Sequence, residues 1–196
     1  QTANWNARSR VAAASRISFS SAESANYAPG ADDAISGGSA LLEALRVFRN
    51  YGFKNTVKII FFSGEEQGLC GSIAYTRQHT LADMWRVVNM DQTAYDGNRN
   101  GWMDCYNWDS TNSPQSVALG QSFIDANSDY GNIITPANTF RPTNHMCQTD
   151  HCPFWDAGVA AIAITEDLHN NDIHTCFDQS QGANCHDTVT QMDPNH

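Results

Sequence analysis

Apolar and polar positions along this chain fall into blocks of two periods. In Ser36–Phe48, Leu41, Leu45 and Phe48 lie on one face of a helix, with Asp33 or Ser36 placed to cap its start and Gly52 to stop it. Val57–Phe62 is a short β-branched and aromatic run, apolar on both faces, which predicts an inner strand of a parallel or mixed sheet. Gly71–Thr80 predicts a second helix, Arg86–Met90 a second strand, Gln115–Ala126 a third helix, and "VAAIAIT" at Val159–Thr165 another buried strand. Strands alternating with helices predict an α/β fold: three layers, helix–sheet–helix, around a mixed, mostly parallel central sheet.

Residues 95–114 are polar, glycine-bearing and aromatic, and read as one long surface loop. Within it Asp96–Gly101 resembles the start of a calcium loop. The twelfth place holds Asn107 rather than an acid and no helices flank the segment, so a plain polar turn is the better reading. No internal repeat or linker divides the chain, which reads as a single domain over residues 1–196.

Composition narrows the function. With 16% charged and 41% apolar residues the chain has an ordinary globular mixture. Its net charge of −10, with only 11 Lys plus Arg, repels phosphate backbones and argues against nucleic acid as a partner. No apolar run approaches the ~18 residues a membrane span requires. Residues Gln1–Trp5 carry no signal pattern, so either the protein is cytosolic or a leader has been removed. The cysteines are even in number (70, 105, 147, 152, 176 and 185) and two pairs lie close in sequence. With few lysines and many Asn, Ser and Thr, this usage points to a secreted or periplasmic protein with disulfides; the alternative is six reduced thiols in a cytosolic enzyme.

The chemistry gathers where predicted strands end. "IIFF" runs into Ser63-Gly64-Glu65-Glu66, "VVNM" delivers Asp91, and "VAAIAIT" leads to His169 and His174, while Asp32-Asp33 stands just ahead of the first helix. Adjacent carboxylates at the end of a buried run repel each other, and one tends to keep its proton. A dication removes the conflict: one glutamate binds it and the other serves as a base toward water that the metal acidifies. Mixed carboxylate and imidazole donors make zinc the expected ion. Singly, each residue also has a plain reading as a solvated pair, a helix cap, a strand-end turn or a structural histidine. Their co-occurrence favours a site. The chain has no Walker-type loop, no G-x-S-x-G and no H-E-x-x-H.

"APGADDAISGGSALLEALRVF", "FFSGEEQGLCGSIAY", "VVNMDQT", "TDHCPFWDAGVAAIAIT" and "IHTCFD" occur in the order found in the M28 family of zinc peptidases, and the chain resembles its secreted bacterial and fungal aminopeptidases from about Ala28 to Asp178. The resemblance implies a zinc-dependent aminopeptidase acting on peptides with a free N-terminus. It implies Asp32 as a carboxylate bridging two zinc ions, Glu65 as general base, and Glu66, Asp91 and His174 as terminal ligands. It also implies a cis peptide between Asp32 and Asp33. Asp33, Asp150 and His151 stand as substrate-orienting or supporting residues, and "CQTDHCPF" as a wall of the substrate pocket, with a 147–152 disulfide preferred over a small metal knot.

Two departures bear on this. The family has a further zinc-binding His in an H-x-D motif upstream of "APGADD"; here no His precedes His79, and the expected positions fall near Ala13 and Ser15. The chain is also short against the family, lacking much of the N-terminal strand region and ending at "QMDPNH" where a helix would follow. An incomplete segment, a lost zinc ligand and an engineered change are all open accounts. So are two other functions, a one-zinc enzyme like glutaminyl cyclase and a non-catalytic peptide-binding relative.

Overall fold

The computed structural model describes residues 30, 32–96, 99–107, 113–131, 134–140 and 149–166. In chain order these form α1 (Ile35–Phe48), α2 (Cys70–Gln78), β1 (Arg86–Met90), β2 (Trp102–Asn107), α3 (Pro114–Tyr130), β3 (Thr135–Phe140), α4 (Cys152–Asp156) and β4 (Ala160–Glu166). The strands make one sheet in the order β1-β4-β2-β3. β1 pairs with β4 and β2 with β3 in parallel, while β2 and β4 run antiparallel, giving the mixed, mostly parallel sheet that the pattern predicts.

β4 is buried at every position, as a strand covered on both faces must be. On one face Ala161 packs with Cys152, Phe154, Trp155 and Val159, and Phe62, Tyr75 and Val87 close over that cluster. On the other, Ile162 and Ile164 meet Met103 and Cys105 of β2 beneath Leu119 and Phe123 of α3. α2 and α4 thus cover one side of the sheet and α3 the other. Ser113 caps α3 by accepting the Ser116 N–H, and the buried Ser116 hydroxyl accepts the Ala161 N–H of β4 at 3.0 Å.

Several expectations need correction. Among the described residues Val57–Phe62 forms no strand: it has no ladder partner there, and Val57 and Phe61 are exposed. Its apolar character is met by side-chain packing instead, with Phe62 edge-on to Tyr75 and tilted against Phe154. The supposed loop at 95–114 contains β2, a central strand. Its polar letters conceal it because they are satisfied in place: the Trp102 indole N–H and the Tyr106 hydroxyl both donate to the Asp104 carboxylate, at 3.1 and 3.0 Å. β3 escapes the pattern through Pro136, which is tolerated because β3 lies at the sheet edge. In the calcium-like segment the Asp96 carboxylate accepts the N–H groups of Asn100 and Gly101.

α1 also differs from its pattern. Its N-cap is Ala34 without a side-chain bond, and its C-cap is Arg49 rather than a glycine. The buried positions are Ser36 and Gly37 at its start, whereas Leu42 and Leu45 are exposed. Among the described residues no helix is long and apolar enough to cross a membrane.

Candidate active site

The turn that carries Glu65 is folded back on itself. Leu69 N–H reaches the Glu65 carbonyl, Cys70 N–H the Gly64 carbonyl and Gly71 N–H the Ser63 carbonyl, at 2.8, 2.9 and 2.9 Å. A Cβ on Gly71 would stand 2.6 Å from the Ser63 carbonyl oxygen, so only glycine lets α2 begin this close to the strand-like run. The "SGEEQGLCGS" glycines therefore aim Glu65 inward, half-buried, while Glu66 stays exposed.

Asp91 follows β1 directly and its N–H donates to the Ile164 carbonyl of β4 at 3.3 Å. α1 approaches it closely: a Cβ on Gly37 would stand 2.2 Å from the Asp91 carbonyl oxygen. From the turn before α4, the buried Thr149 hydroxyl bonds the Asp91 carboxylate and accepts the Asn89 side-chain amide. Ser72 of α2 donates to the Asp150 carboxylate. Four separate segments thus converge at one edge of the sheet.

Their charges act on one another. Burial, then the carboxylates of Asp91, Glu66, Asp33 and Asp150, push Glu65 up to about 8. Burial, then Asp33 and Asp150, push Asp91 up to about 7, against the pull of the Thr149 hydrogen bond. Asp150 is raised as well, by burial, with the Ser72 bond opposing. His151 behaves differently. It is entirely buried, and burial holds its ring well into the neutral form, down to about 3. Its Nδ1 lies 3.4 Å from the Thr149 hydroxyl and its ring meets Trp155 edge-on.

Of the residues singled out in the sequence, Asp33, Glu66 and Asp150 bring their charges to bear on both Glu65 and Asp91, and Asp91 acts on Glu65 as well. Asp32 stands apart: it is buried, and its Oδ1 accepts the Ala94 N–H at 3.0 Å. The cis peptide falls one residue later than the resemblance implies, between Asp33 and Ala34. His169 and His174 lie outside the described residues, as do Ala13, Ser15 and Cys147. Thr149, Asn89 and Ser72 went unnoticed in the sequence, since hydroxyl and amide residues in turns carry no chemical signature.

Hard oxygen donors whose like charges raise the proton affinity of Glu65 and Asp91 fit a dication in chemistry. Among the described residues, however, no three His, Cys, Asp or Glu side chains form a ready group around one ion. The imidazole that the resemblance supplies, His174, belongs to the part not described.

Residues 18–192 match the family described as Peptidase family M28, and the chain belongs to that family. Leucine aminopeptidase 1 of Sclerotinia sclerotiorum is 32% identical over 168 residues, covering 77% of this chain and 41% of that protein. A probable zinc metalloprotease of Pyrenophora tritici-repentis is 25% identical over 163 residues, covering 71% of this chain and 38% of that protein. The chain thus spans less than half the length of these curated relatives. In fold it is similar to a leucine aminopeptidase precursor from Bacteroides thetaiotaomicron, with a TM-score of 0.63 at 20% identity over 84% of this chain and 56% of the other. BSAP, a zinc aminopeptidase from Bacillus subtilis, gives a TM-score of 0.62 at 21% identity over 84% and 38%.

Proposed function

We propose that this chain carries the catalytic centre of a zinc-dependent aminopeptidase that removes N-terminal residues from peptides. The observation that carries the reading is the convergence of Glu65, Asp91, Asp33, Glu66 and Asp150, whose like charges raise the proton affinity of Glu65 and Asp91. Family membership and the zinc aminopeptidases among the relatives support it.

Asp91, Glu66 and Asp33 would hold the metal, joined by His174, and two ions per chain are expected from the family resemblance. Asp33 takes the place that the resemblance gives to Asp32, because Asp33 is the charge that both Glu65 and Asp91 feel. Bound zinc supplies a Lewis acid that polarises the peptide carbonyl and acidifies water. Glu65 is the general base: its carboxylate, aimed inward by the glycine turn, accepts a proton and passes it to the leaving amine. Thr149 fixes the Asp91 carboxylate, and the acidic surroundings attract the free α-amine of the substrate.

The same reading includes secretion and a 147–152 disulfide at the pocket wall. Among the described residues Cys70 and Cys105 are free thiols, and Cys152 is not one of them. The test compares hydrolysis of leucine p-nitroanilide with that of its N-acetyl form, with metal content measured alongside. Rapid cleavage of the free amine, dependent on zinc, is expected. Glu65→Gln should lower turnover by ~10²-fold or more with zinc retained; equal cleavage of the blocked substrate, or full activity in Glu65→Gln, would sink the reading.

A further inference from the structure

Among the described residues, two buried acids besides Asp104 of β2 have no role in this chemistry. Asp32 is 7% exposed and Glu166, the last residue of β4, is 0% exposed. A buried carboxyl is costly unless its oxygens find donors, and each of these has one oxygen bonded from the same short stretch of backbone.

After Asp91 the chain leaves β1 and crosses the ends of α1 and β4. Three successive N–H groups there point to side-chain oxygens instead of a ladder. Thr93 N–H donates to Ser36 Oγ at 2.9 Å, Ala94 N–H to Asp32 Oδ1 at 3.0 Å, and Tyr95 N–H to Glu166 Oε2 at 2.7 Å. The fastening is closed on its other side. Ser36 Oγ donates to the Asp32 carbonyl at 2.7 Å, and Glu166 N–H donates to the Gln92 carbonyl at 2.8 Å. The loop is therefore stitched to the start of α1 and to the end of β4, two elements more than fifty residues away in sequence.

We propose that Asp32, Ser36 and Glu166 are positioning residues that hold the loop after Asp91, and so set where the Asp91 carboxylate stands relative to Glu65 and Asp33. This rests on the reading of Asp91 as a zinc ligand. Asp32 and Glu166 touch neither substrate nor metal in it; they act through the backbone. The arrangement also gives the "DD" pair a division of labour, with Asp33 facing the acid group and Asp32 facing the loop.

The test uses the whole chain and two readouts, zinc affinity by competition with a chromogenic chelator and residue-resolved amide exchange of the metal-free protein. Slow exchange at residues 93–95 is expected in the unaltered chain. Asp32→Ala and Glu166→Ala should speed exchange there while distant amides keep their rates, and should weaken zinc binding by roughly tenfold or more. Glu166→Gln keeps an acceptor oxygen in place and should recover most of both effects. Alanine variants that bind zinc as tightly as the unaltered chain overturn the proposal, as does a Gln variant as weak as Ala. If the alanine variants fail to fold, Ser36→Ala decides: faster exchange confined to the loop supports the clamp, and unchanged exchange overturns it. Should the unaltered chain take no zinc at all, the proposed function fails, while the exchange measurements still judge the clamp by themselves.

Discussion

A hydroxyl at position 149 stands between an amide and an acid. Thr149 accepts from Asn89 and bonds Asp91, so it holds the carboxylate and lowers its proton affinity against burial. Thr149→Val keeps the shape and removes both bonds, leaving the Asn89 amide unsatisfied at a cost of about 1–3 kcal/mol. Zinc affinity is expected to fall by roughly tenfold or more, and Thr149→Ser should restore it; a chelator-competition titration of the three proteins checks this. At this scale the sequence is partly transparent. Glu65 and Asp91 stand out because an acid directly after an apolar run asks for an explanation. Asp32 and Asp33 are chemically identical neighbours, and only the backbone path decides which of them faces Glu65. Nothing marks Thr149, because threonine in a turn is ordinary.

Between elements, contact distance overrides intrinsic preference. Gly37 sits in the first turns of α1, where replacing glycine with alanine normally strengthens a helix by about 1 kcal/mol. Here the new methyl would meet the Asp91 and Met90 carbonyl oxygens at 2.2 and 2.6 Å. Gly37→Ala is therefore expected to destabilise by about 1–3 kcal/mol, read from the denaturant midpoint, with a weaker zinc complex as Asp91 is pushed aside. A stabilised variant contradicts this close approach. The five elements legible in the sequence, α1, α2, β1, α3 and β4, announce themselves by sustained periodicity or an unbroken apolar run. β2 does not, because Asp104, Tyr106 and Trp102 satisfy one another locally and look like loop residues. Val57–Phe62 misleads in the other direction, since its strand-like letters find no ladder among the described residues and Phe62 packs against Tyr75 and Phe154.

For the molecule as a whole, the acid group ties stability to pH. The folded chain keeps Glu65 protonated up to about 8 and Asp91 up to about 7, against ordinary values of 4.5 and 3.8. Protons are thus held by the folded state that the unfolded chain releases, and stability falls as pH rises through that window. Burial of neutral His151 works the other way: its contribution is present above 6.5 and is lost as pH falls toward about 3. The melting temperature of the metal-free protein should therefore peak on the mildly acidic side and drop toward pH ~8, with zinc removing the alkaline loss. A metal-free melting temperature that climbs from pH ~5 to ~8 refutes the coupling among these acids.

Two thiols free among the described residues, Cys70 and Cys105, give the sheet a clock of its own. Cys70 is exposed on α2, whereas Cys105 is wholly buried in β2 and burial pushes its thiol up to about 12. An alkylating reagent should mark Cys70 within minutes and leave Cys105 untouched until β2 parts from β4. The rate at which peptide mass spectrometry finds the label on Cys105 then times the separation of β2 from its neighbour, with no residue changed in the chain.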